Sequence, residues 1–130
     1  MTTKKTVPPD TKILYIEDNK DNLLVMQALL RQALKIELIS APSAEAGFEA
    51  IKNDPPDLIL MDIRLPGMTG IDAIQRLQSD SATQNIPIVV VSADAMEHNI
   101  ELAMQAGARD YLTKPFDFDE LQATLTAILC

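Results

Sequence analysis

The sequence predicts an α/β fold, a doubly wound parallel sheet of five strands. Short apolar runs suited to buried strands alternate five times with segments whose apolar residues recur at helical spacing. The strand candidates are residues 12–16, 36–40, 58–61, 88–91 and 109–113. Because parallel neighbours need a long crossover connection, this alternation favours a (βα)5 arrangement with helices on both faces. We expect the strand order 2-1-3-4-5.

Each strand candidate is followed by a segment with one apolar stripe, which indicates a helix. The stripes are Leu23, Met26, Leu30 and Leu34; Phe48 and Ile51; Ile71, Ile74 and Leu77; Ile100, Ala103 and Met104; and Leu121, Leu125 and Ile128. Thr69 with Asp72, and Asp117 with Glu120, have the spacing of capping boxes and predict the starts of the third and fifth helices. Gly107 predicts the end of the fourth helix.

Composition narrows the class of protein. The chain has 130 residues, 47% hydrophobic and 23% charged, as expected for one globular domain. With 11 Lys and Arg against 19 Asp and Glu, its net charge is −8, so we expect neither nucleic acid nor a membrane surface as a direct partner. No apolar run is long enough to cross a bilayer and no leader opens the sequence, which favours a cytoplasmic location.

The two ends of the chain carry little chemistry. Residues 1–10 include two prolines and show no apolar periodicity, which indicates a flexible N-terminal tail or linker before a domain spanning residues 11–130. Cys130 is the only cysteine, so the sequence predicts neither an internal disulfide nor a site with paired thiols.

Polar side chains follow four of the predicted strands. Glu17 and Asp18 follow the first strand, Asp62 the third, Ser92 the fourth and Lys114 the fifth. Taken singly, each has an ordinary explanation as a helix cap, a turn residue or a surface lysine. Because the carboxyl ends of parallel strands meet at one edge of the sheet, their coincidence favours a functional site there.

Charge indicates what such a site would bind. Two like charges about 4 Å apart repel by about 4 kcal/mol at an effective dielectric of 20, so three converging carboxylates call for a cation. Carboxylate oxygens are hard ligands, and Mg²⁺ prefers such ligands while keeping several waters.

These motifs resemble the receiver domains of two-component response regulators, over residues 12–129. The motifs are Tyr-Ile-Glu-Asp-Asn at 15–19, Met-Asp-Ile-Arg-Leu-Pro-Gly-Met-Thr-Gly at 61–70, Val-Val-Val-Ser-Ala at 89–93 and Asp-Tyr-Leu-Thr-Lys-Pro-Phe at 110–116. The resemblance implies a flavodoxin-like fold and a receiver domain over residues 11–130. Glu17 stands for a commoner Asp and Ser92 for a commoner Thr, and both keep the chemical group that the site needs.

The resemblance also implies a role for each site residue. Asp62 would accept a phosphoryl group from a histidine kinase or histidine phosphotransfer protein, with Lys114 neutralising charge and Ser92 hydrogen-bonding the product. For Mg²⁺, Asp18 and Asp62 would be direct ligands. Glu17 would act through water, and the backbone carbonyl of Arg64 would add a ligand.

Switching is implied by resemblance as well. Ser92 and Tyr111 would form the conformational switch, and Arg64 and Asp94 would tune the lifetime of the phosphoryl group. The Lys114–Pro115 peptide would be cis. The surface of the fourth helix, fifth strand and fifth helix would change shape, and a homodimer could form through it. Such a domain is not an enzyme, since it catalyses only its own phosphorylation and dephosphorylation.

Other readings of the sequence have less support. A haloacid-dehalogenase-type phosphatase needs an Asp two residues after the first, where this chain has Arg64. A flavin or nucleotide site needs a Gly-, Ser- or Thr-rich loop where this chain has Glu-Asp-Asn-Lys at 17–20. A receiver-like interaction module that is never phosphorylated stays an alternative. So do two contexts, a stand-alone regulator and a receiver of a hybrid histidine kinase, with Pro8-Pro9 resembling a linker.

Overall fold

The strands form one parallel sheet in the predicted order. The computed structural model describes residues 7, 8 and 10–130 of the chain. Its strands are β1 (Ile13–Ile16), β2 (Leu38–Ala41), β3 (Leu58–Met61), β4 (Ile88–Ser92) and β5 (Asp110–Thr113). They are all parallel and ordered β2-β1-β3-β4-β5, so the predicted doubly wound fold is confirmed.

A helix follows each strand. The helices are α1 (Lys20–Leu34), α2 (Ala44–Asn53), α3 (Gly70–Gln78), α4 (Glu97–Ala106) and α5 (Phe118–Leu129). The capping box predicted at Asp117 and Glu120 is complete. At Thr69 the hydroxyl accepts from the backbone N–H of Asp72 at 3.2 Å, which is one half of the predicted box. No helix formed by the described residues is long and apolar enough to span a membrane.

Alternate residues of the strands supply two apolar layers, one on each face of the sheet. In β3, Leu58 and Leu60 pack with apolar residues of α1 and α5, whereas Ile59 and Met61 pack with those of α2, α3 and α4. Both sets are fully buried. Burying one such side chain stabilises a fold by about 1.5–3 kcal/mol, so the two layers hold the sheet edge in a fixed position.

Four of the five strands have one bound that shifts by one residue from the predicted range, and two larger differences have a physical cause. The second strand begins at Leu38 rather than residue 36, because α1 ends in a left-handed turn at Lys35 and the N–H of Ile36 still donates to the Leu30 carbonyl at 3.2 Å. Ile36 is therefore a buried helix-end contact. Met104 does not belong to the buried stripe of α4, since it is 41% exposed while Ala103 is buried.

The predicted tail, residues 1–10, lies mostly outside the described residues. Val7 and Pro8 are described: Val7 is buried in the layer under α1 and α5, and the Pro8 carbonyl accepts from the Thr11 N–H at 3.1 Å. The boundary at residue 11 stays a prediction.

Candidate functional site

Strand register brings the predicted site residues together. Ile16 of β1 pairs with Met61 of β3, so Glu17 and Asp62 leave the sheet side by side. The Asp62 N–H donates to the Ile16 carbonyl at 3.2 Å, which extends the ladder by one residue. On the other side, the Lys114 N–H donates to the Ser92 carbonyl at 2.8 Å. Backbone pairing therefore fixes the Cα positions of Glu17, Asp62, Ser92 and Lys114.

An ammonium lies between two carboxylates at this edge. The Lys114 Nζ is 3.5 Å from Glu17 Oε1 and 3.8 Å from Asp62 Oδ2. The Glu17 side chain is 0% exposed, that of Asp62 14% and that of Lys114 21%. This contact joins β1, β3 and β5, and it lies largely out of water, where charges interact strongly.

Glu17 is the most constrained acid of the site. Its Oε1 accepts from the side-chain amide of Asn22, while its Oε2 is buried and has no hydrogen-bond partner among the described residues. Burial, together with the nearby Asp62 carboxyl, raises the pKa of Glu17 to about 7, although Asn22 and Lys114 act in the opposite direction. An unpartnered buried oxygen is costly, and a cation or a bound water would satisfy it.

Asp18 and Arg64, the other two predicted metal-site residues, are exposed, whereas Glu17 is buried. Asp18 is exposed at the mouth of the site. The Arg64 side chain is also exposed, and its N–H donates to Asp62 Oδ1 at 3.2 Å. Within the described part of the chain, no three acidic, imidazole or thiol side chains are close enough to hold an ion together. The assignment of Asp18, Asp62 and the Arg64 carbonyl as metal ligands therefore stays a prediction.

Ser92 and Tyr111 lie on either side of the loop that follows β4. Ser92 is buried, and its hydroxyl accepts from the Asp94 N–H at 3.1 Å. The Tyr111 hydroxyl donates to the Asp94 carbonyl at 2.6 Å, so it is bound to the protein rather than pointing into water. Burial raises the pKa of Tyr111, and the Ser92 hydroxyl beside it acts in the opposite direction. The Lys114–Pro115 peptide is cis, as predicted.

The whole sheet and its carboxyl edge match one known family. Residues 13–126 match the profile of the response regulator receiver domain. The chain belongs to this family. It is thus a receiver domain of two-component phosphorelay signalling, a class that interacts with histidine kinases or phosphotransfer proteins.

Two curated relatives are similar to most of this receiver domain. The phosphate regulon transcriptional regulatory protein PhoB of Pseudomonas aeruginosa is 36% identical over 118 residues, which cover 91% of this chain and 52% of PhoB. Protein PilH of the same species is 32% identical over 91% of this chain and 97% of PilH. The chain thus spans about half of PhoB but nearly all of PilH.

A solved structure gives the same result for the fold. The receiver domain of a sensor histidine kinase from Pseudomonas aeruginosa is 32% identical, with a TM-score of 0.84 over 92% of this chain and 98% of that one. It is described with a magnesium ion coordinated in its active-site cleft. Receiver domains therefore occur both as stand-alone proteins and within sensor kinases.

Three supporting residues of this receiver domain were missed by sequence reasoning. Asn22 reaches Glu17 from the first turn of α1. A Cβ at Gly70 would lie 2.5 Å from the Asp62 carbonyl oxygen, and one at Gly47 would lie 2.5 Å from the Ile16 side chain. Gly70 thus permits close approach of α3 to the loop after β3, and Gly47 permits close approach of α2 to β1. Gly70 lies in the motif at 61–70 that resembles receiver domains, and this motif was the one sequence signal for its importance. Nothing in the sequence pointed to Asn22.

Proposed function

We propose that this receiver domain takes a phosphoryl group onto Asp62 from the phosphohistidine of a histidine kinase or histidine phosphotransfer protein, with Mg²⁺ bound beside it. The observation that carries the proposal is the position of Lys114, whose Nζ lies within 4 Å of both Glu17 and Asp62 at the carboxyl edge of the sheet. A half-buried carboxylate beside a cation is suited to receive an anionic group.

The residues present fit a hard divalent cation. Glu17 Oε2 is buried with no hydrogen-bond partner in the part of the chain that the structure describes, and the three acids Glu17, Asp18 and Asp62 stand beside the one ammonium of Lys114 there. Asp18 and Asp62 would hold the ion directly, with the Arg64 carbonyl, and Glu17 would hold it through water, which suits an ion that keeps several waters. When bound, Mg²⁺ would neutralise charge on the phosphoryl oxygens. The magnesium in the related sensor-kinase receiver domain supports this assignment.

The transfer itself is a displacement at phosphorus. A carboxylate oxygen of Asp62 would form the new O–P bond while the N–P bond to the donor imidazole breaks and its electron pair stays on the imidazole nitrogen. The Lys114 ammonium would shift from the carboxylates to the phosphoryl oxygens. The Ser92 hydroxyl accepts a hydrogen bond from the Asp94 N–H in this structure, and it would donate a hydrogen bond to a phosphoryl oxygen after transfer.

Water would later attack the same phosphorus, the bond between the Asp62 oxygen and phosphorus would break, and inorganic phosphate would leave as the Asp62 carboxylate is regenerated. Arg64 and Asp94 remain the proposed tuners of this step. The Arg64 side chain is exposed beside the mouth of the site, as a residue that screens incoming water would be. The domain would act only on its own phosphoryl group, in the cytoplasm, with no direct nucleic-acid or membrane partner.

The signal would leave through Ser92 and Tyr111 to the surface of α4, β5 and α5. Met96, which precedes α4, and Leu102 and Met104 within α4 are 67%, 37% and 41% exposed. They support this surface as the site of phosphorylation-dependent contacts, including a homodimer.

The test uses a small-molecule phosphodonor. Acetyl phosphate with Mg²⁺ should add one phosphoryl group to the wild-type protein, measured by intact mass spectrometry, and addition should stop when EDTA removes the metal. Asp62→Asn keeps the size of the side chain and should gain nothing. Asp72→Asn, at an exposed acid of α3, is the matched control and should behave as wild type. If Asp62→Asn gains the same mass at the same rate, Asp62 is not the acceptor.

A further inference from the structure

Asp94, in the loop between β4 and α4, has a hydrogen-bond partner for each of its polar groups. Its N–H donates to the Ser92 hydroxyl at 3.1 Å, and its carbonyl accepts from the Tyr111 hydroxyl at 2.6 Å. Its Oδ1 accepts from the Met96 N–H at 3.0 Å and its Oδ2 from the Asn99 side-chain amide at 2.7 Å. One residue therefore connects the end of β4, the face of β5 and the first turn of α4.

The start of α4 depends on this residue in an unusual way. Asn19, Ser43, Thr69 and Asp117 cap the other four helices with their own side chains. Met96 occupies that position in α4, and its side chain makes no capping bond with any described residue. The first N–H groups of a helix have no partner within it, and the Asp94 carboxylate accepts from one of them, the N–H of Met96. Asn99, half-buried in the first turn, holds the second oxygen of that carboxylate.

We propose that Asn99 is a positioning residue that fixes the Asp94 carboxylate on α4, so that the start of α4 moves together with Ser92 and Tyr111. The inference rests on the proposed phosphoryl switch and deepens it. When the Ser92 hydroxyl turns to a phosphoryl oxygen, the Asp94 N–H loses its acceptor and the loop is released on that side. The bond to Asn99 then transmits any displacement of Asp94 to the helix, and the bond to Tyr111 transmits it to β5.

The first experiment uses the free protein and needs no phosphodonor. Amide exchange is measured across residues 94–103 in wild type, Asn99→Ala, Asn99→Asp and His98→Ala. Asn99→Asp keeps the size of Asn but removes the amide donor, and His98→Ala is the matched control at the exposed neighbour in the same turn. Loss of one hydrogen bond should speed exchange of the α4 first turn by roughly three- to tenfold in both Asn99 variants. If both exchange as His98→Ala does, Asn99 does not hold the loop and the inference is wrong.

The second experiment measures coupling, with Mg²⁺ and beryllofluoride as the phosphoryl analogue. The chain has two tyrosines and no tryptophan, so in a Tyr15→Phe background all tyrosine fluorescence comes from Tyr111. With Asn99→Ala, the analogue should still change Tyr111 fluorescence, and acetyl phosphate should still add one phosphoryl group. The analogue-dependent change in α4 exchange should fall to about half or less of the wild-type change.

The outcomes separate the two proposals. A full α4 response in Asn99→Ala, with normal phosphorylation, would show that coupling bypasses Asn99 and would overturn this inference alone. A wild-type protein that gains no phosphoryl group would overturn the proposed function instead. A wild-type α4 that does not respond to the analogue, in a protein that is phosphorylated normally, would overturn both the coupling through Asn99 and the proposed output through α4, and would leave phosphoryl transfer to Asp62 standing.

Discussion

The ammonium of Lys114 lies closer to the carboxylate of Glu17 than to that of Asp62, at 3.5 Å against 3.8 Å. Glu17 is also the more buried of the two acids, with a side chain that is 0% exposed. Lys114 therefore contacts both acids, and a phosphoryl group on Asp62 would compete with Glu17 for the ammonium. The outcome of that competition depends on the charge of Glu17, whose pKa is raised to about 7.

The raised pKa of Glu17 predicts how stability depends on pH in EDTA. A carboxyl whose pKa is higher in the folded than in the unfolded chain binds protons on folding, so stability falls as pH rises between the two values. For Glu17 these are its ordinary 4.5 and about 7. We expect the metal-free protein to lose stability as pH rises from about 4.5 to about 7 in urea denaturation. Mg²⁺ should restore more stability at the upper end, where the carboxylates are ionised.

Glu17→Gln is the variant that checks this prediction, because it removes the ionisable group and keeps the shape. It should flatten the pH profile of the metal-free protein over the same window. Glu101→Gln, at an exposed acid of α4, should keep the wild-type profile. A Glu17→Gln profile that matches wild type would mean that another group carries the pH dependence.

Neutralising Asp18 should separate metal binding from folding. Asp18 is exposed, so Asp18→Asn should leave the free energy of unfolding within about 0.5 kcal/mol of wild type in EDTA. If Asp18 is a direct ligand, Mg²⁺ affinity measured by calorimetry should fall by roughly tenfold or more. Asp21→Asn, at an exposed acid in the first turn of α1, is the control. Unchanged affinity in Asp18→Asn would remove Asp18 from the ligand set.

Gly70 should be far less tolerant of a methyl group than Gly67. At Gly70 a Cβ would meet backbone atoms, 2.5 Å from the Asp62 carbonyl oxygen and 2.6 Å from the Ile63 Cα. Backbone cannot move aside cheaply, so Gly70→Ala should cost about 1–3 kcal/mol of stability and displace the acceptor loop. At Gly67 the nearest atom is 3.8 Å away, so Gly67→Ala meets only the strain of its φ of 77°.

The two glycine variants are compared by urea denaturation and by the rate of phosphorylation with acetyl phosphate. Gly70→Ala should slow phosphorylation because Asp62 moves, whereas Gly67→Ala should lower stability and leave the rate near that of wild type. Equal effects of both variants on the rate would show that the contact of Gly70 with Asp62 does not position the acceptor.

The sequence was sufficient to predict where the site lies but not what supports it. Alternating apolar runs predicted five parallel strands, and parallel strands place their carboxyl ends on one edge, so the neighbourhood of Glu17, Asp62 and Lys114 followed from the order of the chain. The bond from Asn22 to Glu17 could not be predicted in this way, because it depends on how α1 is rotated over β1. The same holds for the clearance at Gly70 and Gly47.

The predicted start of the second strand and the predicted buried stripe of α4 were wrong for a related reason. Ile36 has the hydrophobicity of a strand residue, but it belongs to the end of α1. The backbone is left-handed at Lys35, and the N–H of Ile36 donates to the Leu30 carbonyl. Met104 continues the apolar composition of α4, yet it lies one position beyond Ala103, which turns it about 100° around the helix and into solvent. Composition predicts that an element exists, whereas packing decides which residue ends it and which side faces the core.

Tyr111 provides the sharpest test of how the signal leaves the site. Its ring is half-buried and packs against the layer under α2, α3 and α4, and its hydroxyl donates to the Asp94 carbonyl. Ring and hydroxyl can be removed separately. Tyr111→Phe deletes only the hydrogen bond, worth about 0.5–1.5 kcal/mol, whereas Tyr111→Ala deletes the packing as well. Neither variant touches Asp62 or Lys114, so both should be phosphorylated at nearly the wild-type rate.

The response of the output surface should fall in the order wild type, Tyr111→Phe, Tyr111→Ala. It is measured by amide exchange in residues 95–107 and 109–120 with and without beryllofluoride, with Tyr15→Phe as the control. Moving a two-state equilibrium from 1:99 to 99:1 takes about 5.5 kcal/mol, so losing one hydrogen bond should weaken the response without abolishing it. Equal exchange differences in all four proteins would mean that Tyr111 only packs. A full response in Tyr111→Phe with a reduced one in Tyr111→Ala would assign the coupling to the ring and not to its bond with Asp94.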